Sequence, residues 1–154
     1  MSAAAPATRF EDLTLSINDE IHVEATLEVT FDALIEQLTV GMTAAEDKPM
    51  PMKIEQWPGG RWWRDLGDGN GHLWGHVQAI KRPTLLEFNG PMMMSLAVAS
   101  NVQYRLSEEK GGTLIKFRHT AFGFIEEQHK MGVNTGWTYM MNRLKERVEG
   151  LRMH

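Results

Sequence analysis

His119 is the residue of this chain whose type and position best fit chemistry. Residues 113–120 alternate like a strand, with Ile115 and Phe117 on the same face as His119. We therefore expect the imidazole to point into the core, near Trp137 of the last helix. There it could act as a general base or orient a polar group of a ligand, with the Tyr104 hydroxyl as its partner. The alternative is a neutral buried histidine bonded to the backbone or to Tyr104. His119 and Tyr104 are thus candidate catalytic residues.

The other polar groups do not form the pattern of a metal or nucleotide site. His72 and His76 are four residues apart on a predicted strand, which puts them on one face but roughly 13 Å apart, too far to share a metal ion. The chain has no cysteine, which excludes disulfides and thiolate chemistry. Residues 67–71 lie between two strands and form a hairpin turn, not a phosphate-binding loop. We expect no metal and no cofactor.

Tryptophan and methionine are unusually frequent, with 5 and 11 copies among 154 residues. Most of the tryptophans fall in the first strands of the middle region, where adjacent Trp62 and Trp63 must point to opposite faces. Residues 92–94 are three methionines at a Gly-Pro break between strands. One interpretation is an aromatic and thioether wall around a flat or amphipathic ligand. The other is a well-filled core.

Length and composition indicate one globular domain. The chain has 154 residues, 42% of them apolar, and a net charge of −4, which gives no electrostatic case for nucleic acid or an anionic membrane. No apolar run approaches membrane-spanning length, and residues 1–9 lack the pattern of a secretory signal. We expect a mobile tail over residues 1–12, a single domain over 13–152, a cytoplasmic location, and a monomer or homodimer.

The elements that must position these residues follow from the spacing of apolar and turn residues. Thr30 is the predicted N-cap of a helix that continues to Leu38, and residues 43–51 form a loop. Residues 126–151 form one long amphipathic helix, on which Gly136 is expected to approach the sheet most closely. Strands are predicted over 13–25 (or a hairpin there around Asn18), 52–57, 61–66, 72–80, 85–88, 97–106 and 113–120. The fold class is α+β, with six or seven antiparallel strands and the helices on one side.

In this order of elements the chain resembles the START-like (SRPBCC, helix-grip) superfamily. More narrowly, it is similar to the group related to the C-terminal domain of the activator of the Hsp90 ATPase. The matching segments are residues 21–25 leading into 29–34, the Trp-Pro-Gly-Gly-Arg of 57–61, residues 75–80 leading through Pro83 to 85–88, residues 112–119, and Gly136-Trp137 with Leu144 seven residues on. The resemblance implies a helix-grip fold, in which a curved antiparallel sheet wraps around the long C-terminal helix and leaves a deep apolar cavity.

From the resemblance we expect a domain that binds a small apolar or amphipathic molecule between sheet and helix. The residues expected to line the cavity are Trp63, Trp74, Phe88, Met93, Tyr104, Phe117, His119, Phe122, Trp137, Met140 and Met141. The family often has a Trp-rich stretch after the first helix, whereas this chain has the loop 43–51, so the cavity entrance is expected to be built differently.

Two other functions remain open. Aromatase/cyclase-type relatives imply an enzyme with His119 and Tyr104 as its acid/base pair, provided that the two side chains converge in an accessible cavity. The Hsp90 co-chaperone implies an interaction module for Hsp90. Its separate N-terminal domain has an Asn-rich, Trp-containing motif that is not found ahead of Leu13 here, so Hsp90 is a weaker expectation than a small molecule.

Overall fold

The computed structural model describes residues 9–152, with side chains described for residues 9–150. Two short 3-10 helices lie at Phe10–Leu13 and Ala45–Asp47. The strands are β1 (Thr14–Val23), β2 (Lys53–Ile54), β3 (Arg61–Gly67), β4 (Asn70–Lys81), β5 (Leu85–Gly90), β6 (Val98–Glu109) and β7 (Gly112–Gly123), and the helices are α1 (Leu27–Leu38) and α2 (Glu127–Arg152). Most of the expected tail, residues 1–8, lies outside the described residues.

The seven strands form one antiparallel sheet in the order β1-β7-β6-β5-β4-β3-β2. The long β6–β7 hairpin lies between β1 and β5 and is paired without a break from Val98 opposite Gly123 to Glu109 opposite Gly112. Along β7, side chains alternate between buried and exposed positions, because one face is covered by the helices and the other faces solvent. The predicted α+β helix-grip fold is confirmed.

Some predicted boundaries are wrong. Thr26, not Thr30, caps α1: its hydroxyl accepts a hydrogen bond from the Val29 amide at 3.3 Å, and Thr30 is buried inside the helix. No hairpin forms around Asn18, since β1 pairs continuously with β7. The strand predicted over 52–57 is only Lys53–Ile54, because the chain turns through Trp57 and Gly60 before β3 begins.

The space between α2 and the middle of the sheet is filled with side chains. Trp137 of α2 is 1% exposed, and its ring lies 4.9 Å from the Phe117 ring, which in turn lies 5.0 Å from Tyr104. The second half of α2 packs on α1 and β1, with Leu144 and Val148 buried. This part of the helix is therefore anchored to a packed core.

Candidate functional site: a cleft at the first half of the C-terminal helix

An open cleft of about 1040 Å³ lies between the first half of α2, the β3–β4 hairpin and the loop after α1. We call it the hairpin cleft. It is lined by Met42, Thr43, Ala44, Ala45, Glu46, Asp47, Met50, Arg64, Leu66, Gly71, His72, Trp74, Met93, Glu126, Gln128, His129, Gly132, Val133, Thr135, Gly136, Tyr139 and Met140. Four separate parts of the chain thus line it, since Met93 comes from the segment between β5 and β6, and it is displaced from the filled centre of the fold.

The floor of the hairpin cleft is apolar. Met42, Trp74 and Val133 are buried, while Met50, Met93 and Met140 are half-buried and pack against the core. Methionine side chains are flexible and polarisable, so such a wall can adapt to ligands of different shape. The chemistry of the floor suits an apolar group rather than a polar one.

Two glycines of α2, Gly132 and Gly136, widen the hairpin cleft. They are one helical turn apart and line it together, and a Cβ added to either would meet no atom within 4 Å. The expectation that Gly136 makes the closest approach to the sheet is therefore wrong. Its missing side chain leaves room in the hairpin cleft instead, at the usual cost of a glycine inside a helix.

The loop after α1 closes one side of the hairpin cleft in a constrained conformation. Glu46 and Asp47 have φ values of 60° and 56°, a left-handed backbone that residues other than glycine adopt at a cost. The Tyr139 hydroxyl of α2 donates a hydrogen bond to the Asp47 carboxylate, and this bond is the main cause of a raised pKa of Tyr139. The loop is thus tied to the helix across the opening.

Two polar side chains enter the hairpin cleft from the β3–β4 hairpin. Arg64 and His72 are paired residues of the two strands, and both are half-buried. The Trp74 indole donates a hydrogen bond to His72 Nδ1 at 3.2 Å. Neither Arg64 nor His72 was singled out as a ligand-binding residue from the sequence, although both stand two positions from a buried tryptophan on the same strand.

The expected cavity residues divide into separate groups in the structure. Trp74, Met93 and Met140 line the hairpin cleft. Phe88, Tyr104, Phe117, His119, Trp137 and Met141 are buried in the core and do not line it.

Trp63 and Phe122 lie away from both the hairpin cleft and the core. Trp63 is on the outer face of the sheet, with the Arg61 guanidinium 4.2 Å from its ring centre, while Trp62 takes the inward position. Phe122 is 50% exposed and packs on Phe10.

His119 is fully buried and held by α2. The Trp137 indole donates a hydrogen bond to its Nδ1 at 2.8 Å, so the neutral ring has its proton on Nε2, which has no partner among the described residues. Burial lowers the pKa of His119 to about 4 and raises that of Tyr104. Among the described residues, no hydrogen bond joins the His119 and Tyr104 side chains, so the two do not have the geometry required of an acid/base pair.

The expected common face of His72 and His76 is not observed. Gly75 pairs with Trp62 but Leu73 pairs with Trp63, so the ladder shifts by one residue between them. His72 lines the hairpin cleft, whereas His76 is exposed.

Across residues 9–152, no three His, Asp or Glu side chains are grouped as a metal site. Within the same residues, no helix has the length and apolarity to cross a membrane.

Comparisons with known proteins agree on the fold. CalU16 from Micromonospora echinospora is 22% identical, with a TM-score of 0.63 over 90% of this chain and 78% of that chain. SA2116 from Staphylococcus aureus, described as a protein of unknown function, is 14% identical, with a TM-score of 0.67 over 95% of this chain and 100% of that chain. MLL2253 from Mesorhizobium loti is 17% identical, with a TM-score of 0.62 over 87% of this chain and 96% of that chain.

At these identities the structures show a shared fold and nothing more. No curated protein matches the chain in sequence. A sequence model of the family described as "Activator of Hsp90 ATPase homolog 1-like protein" matches residues 24–149, from the residue after β1 to the last turn of α2.

Proposed function

The chain belongs to the activator of Hsp90 ATPase homolog 1-like family, and from that premise we propose that it binds a small apolar or amphipathic molecule in the hairpin cleft. The observation that supports this best is the cleft itself: about 1040 Å³, with an apolar floor and a lining from four segments of the chain. Ligand sites for small molecules are typically concave, mostly apolar and of roughly 300–1,000 Å³. The hairpin cleft has the size and lining of such a site.

Affinity would come from burial of apolar surface. A ligand that buries about 300 Å² of apolar surface gains roughly 7 kcal/mol at about 25 cal/mol per Å². Part of this gain is lost to the entropy of association, which costs at least about 4 kcal/mol. The remainder corresponds to weak or moderate binding, so any tighter complex needs polar contacts in addition.

Gly132 and Gly136 support the proposal because they leave room in the hairpin cleft although glycine does not stabilise a helix. Alanine at either position would stabilise α2, and the surroundings have room for it. Glycine at both positions keeps the hairpin cleft open at the cost of helix stability.

The proposal is tested by native mass spectrometry of freshly purified protein, followed by mild denaturation. We expect a co-purifying small molecule on the wild-type chain and its loss in Gly136→Leu, which fills the hairpin cleft from one wall. Gly150→Leu is the matched control, since Gly150 is on the same helix with open space around it but does not line the cleft. Equal ligand loading in both variants would contradict the proposed site.

No observation on the described residues favours a second function. His119 and Tyr104 do not form the acid/base pair that an aromatase/cyclase-type reaction would need, and neither lines the hairpin cleft. The Hsp90 association suggested by the family's name is tested separately, by pull-down and by ATPase stimulation.

A further inference from the structure

We infer that the ligand of the hairpin cleft carries an anionic head group, held by Arg64 and His72. This inference rests on the proposed function and adds the chemical class of the ligand. Both residues line the cleft, from adjacent strands, at directly paired positions. Paired residues on one face of an antiparallel ladder have Cβ atoms roughly 4.5–5.5 Å apart. Their nitrogens can therefore converge on one carboxylate or phosphate.

Arg64 has no counter-charge among the described residues, unlike the nearby cations Lys53 and Arg61. Lys53 is paired with Asp65 at 2.8 Å, and Arg61 with Glu55 at 2.7 Å. The Arg64 side chain makes no hydrogen bond or ion pair with any described residue, although it is half-buried. A guanidinium removed from part of its water without an acceptor is costly, and a bound anion would supply the missing acceptors in bidentate form.

His72 presents a second donor. The Trp74 indole can only donate, so its hydrogen bond at 3.2 Å makes His72 Nδ1 the acceptor. The neutral ring then has its proton on Nε2, which makes no hydrogen bond with the described residues. Trp74 thus sets the tautomer that offers an N–H group beside Arg64, and its own ring forms part of the apolar floor.

Acidic groups also line the hairpin cleft, and their exposure to solvent determines how strongly they repel a bound anion. Glu46, Asp47 and Glu126 are all exposed, and the Asp47 carboxylate accepts the Tyr139 hydroxyl. Exposed charges are screened by water and salt, whereas half-buried Arg64 is screened less. His129, the remaining titratable group of the lining, is exposed as well. The anionic head is therefore expected at the hairpin side, with the apolar tail against the methionines.

The test compares three probes that share one alkyl tail: decanoate, decanol and decylamine, all at neutral pH and below aggregation. Binding is followed by tryptophan fluorescence, to which Trp74 contributes from the floor of the hairpin cleft. We expect decanoate to bind about tenfold or more tightly than decanol, the range of a charge-assisted hydrogen bond. Added salt should weaken decanoate binding and leave decanol binding unchanged.

Two variants assign the effect to Arg64. Arg64→Gln should lower decanoate affinity about tenfold or more and decanol affinity far less, and Arg64→Lys should restore part of the decanoate affinity. Arg118→Gln is the matched control, because Arg118 is an exposed arginine on the opposite face of the sheet. It should change neither affinity. Melting temperatures of all variants show whether each remains folded.

The outcomes separate this inference from the proposed function. If decanol binds but decanoate binds no tighter, or decylamine binds tightest, the inference is overturned and the proposed function stands. If Arg64→Gln lowers both affinities equally, the anionic contact is likewise refuted. If none of the probes binds, both proposals fail.

Discussion

Filling the hairpin cleft from α2 should stabilise the fold and weaken ligand binding at the same time. Gly132 and Gly136 are interior helix positions, where replacing glycine by alanine or leucine gains about 0.5–1 kcal/mol each. A Cβ at either position meets nothing within 4 Å, so no steric cost offsets the gain. The double variant Gly132→Ala/Gly136→Ala should therefore be more stable by about 1–2 kcal/mol, a rise in melting temperature of roughly 2–8 °C.

Leucine at the same positions adds bulk where the ligand is proposed to lie. Gly136→Leu should keep most of the stabilisation and lower the affinity for decanol and decanoate by at least about tenfold, since a displaced apolar group forfeits about 0.8 kcal/mol per methylene. The assays are thermal unfolding and fluorescence titration on the same samples. Gly150→Leu, on the same helix but away from the hairpin cleft, should leave both affinities unchanged.

Either of two results would refute this reasoning. A marked loss of stability in Gly132→Ala/Gly136→Ala would mean that the glycines are in tight contact with the rest of the fold. Unchanged affinity in a stable Gly136→Leu variant would mean that ligands bind elsewhere.

Three further predictions follow from the core and the loop. Trp137→Ala should lower the free energy of unfolding by about 3–5 kcal/mol, as large core truncations do. Trp63→Ala, on the outer face of the sheet, should lower it by only about 1 kcal/mol. Similar urea midpoints for the two variants would contradict the faces assigned to these residues. Burial lowers the pKa of His119 from 6.5 to about 4 in the folded state. As the pH falls, the unfolded chain therefore binds this proton before the folded protein does. The free energy of unfolding is thus fully retained above about pH 6.5 and falls as the pH drops toward 4, by up to about 3 kcal/mol. His119→Gln should flatten this part of the pH profile, and an identical profile would exclude His119 as its cause. Tyr139→Phe should release Asp47 and speed hydrogen exchange in residues 43–50 without a comparable change in β6 or β7; unchanged exchange would show that the loop is held by other contacts.

The sequence was most informative where alternation is regular. Along β7, the spacing of Ile115, Phe117 and His119 places all three on the inner face, and each is buried there. The face of Trp137 follows in the same way from the three- and four-residue steps of α2. Such patterns depend only on which side of an element meets the core, so they can be read before the fold is known.

The hairpin cleft could not be found in that way. Its position depends on three features. One is the point at which the loop after α1 contacts Tyr139. The others are the register shift that separates His72 from His76, and which of the adjacent tryptophans, Trp62 or Trp63, points inward. Each is set by packing between distant parts of the chain. Six of the eleven residues expected to line the cavity therefore belong to the core instead, since the largest side chains fill space rather than border it.

Methionine methyl NMR tests most directly whether a ligand binds in the hairpin cleft. The methyl groups divide by position: Met42, Met50, Met93 and Met140 line the cleft, and Met52, Met92, Met94 and Met141 are buried in the core without lining it. On titration with decanoate, we expect the first group to shift and the second to stay unchanged. Shifts confined to the second group would place the ligand in the buried core, outside the hairpin cleft, and would contradict the proposed site.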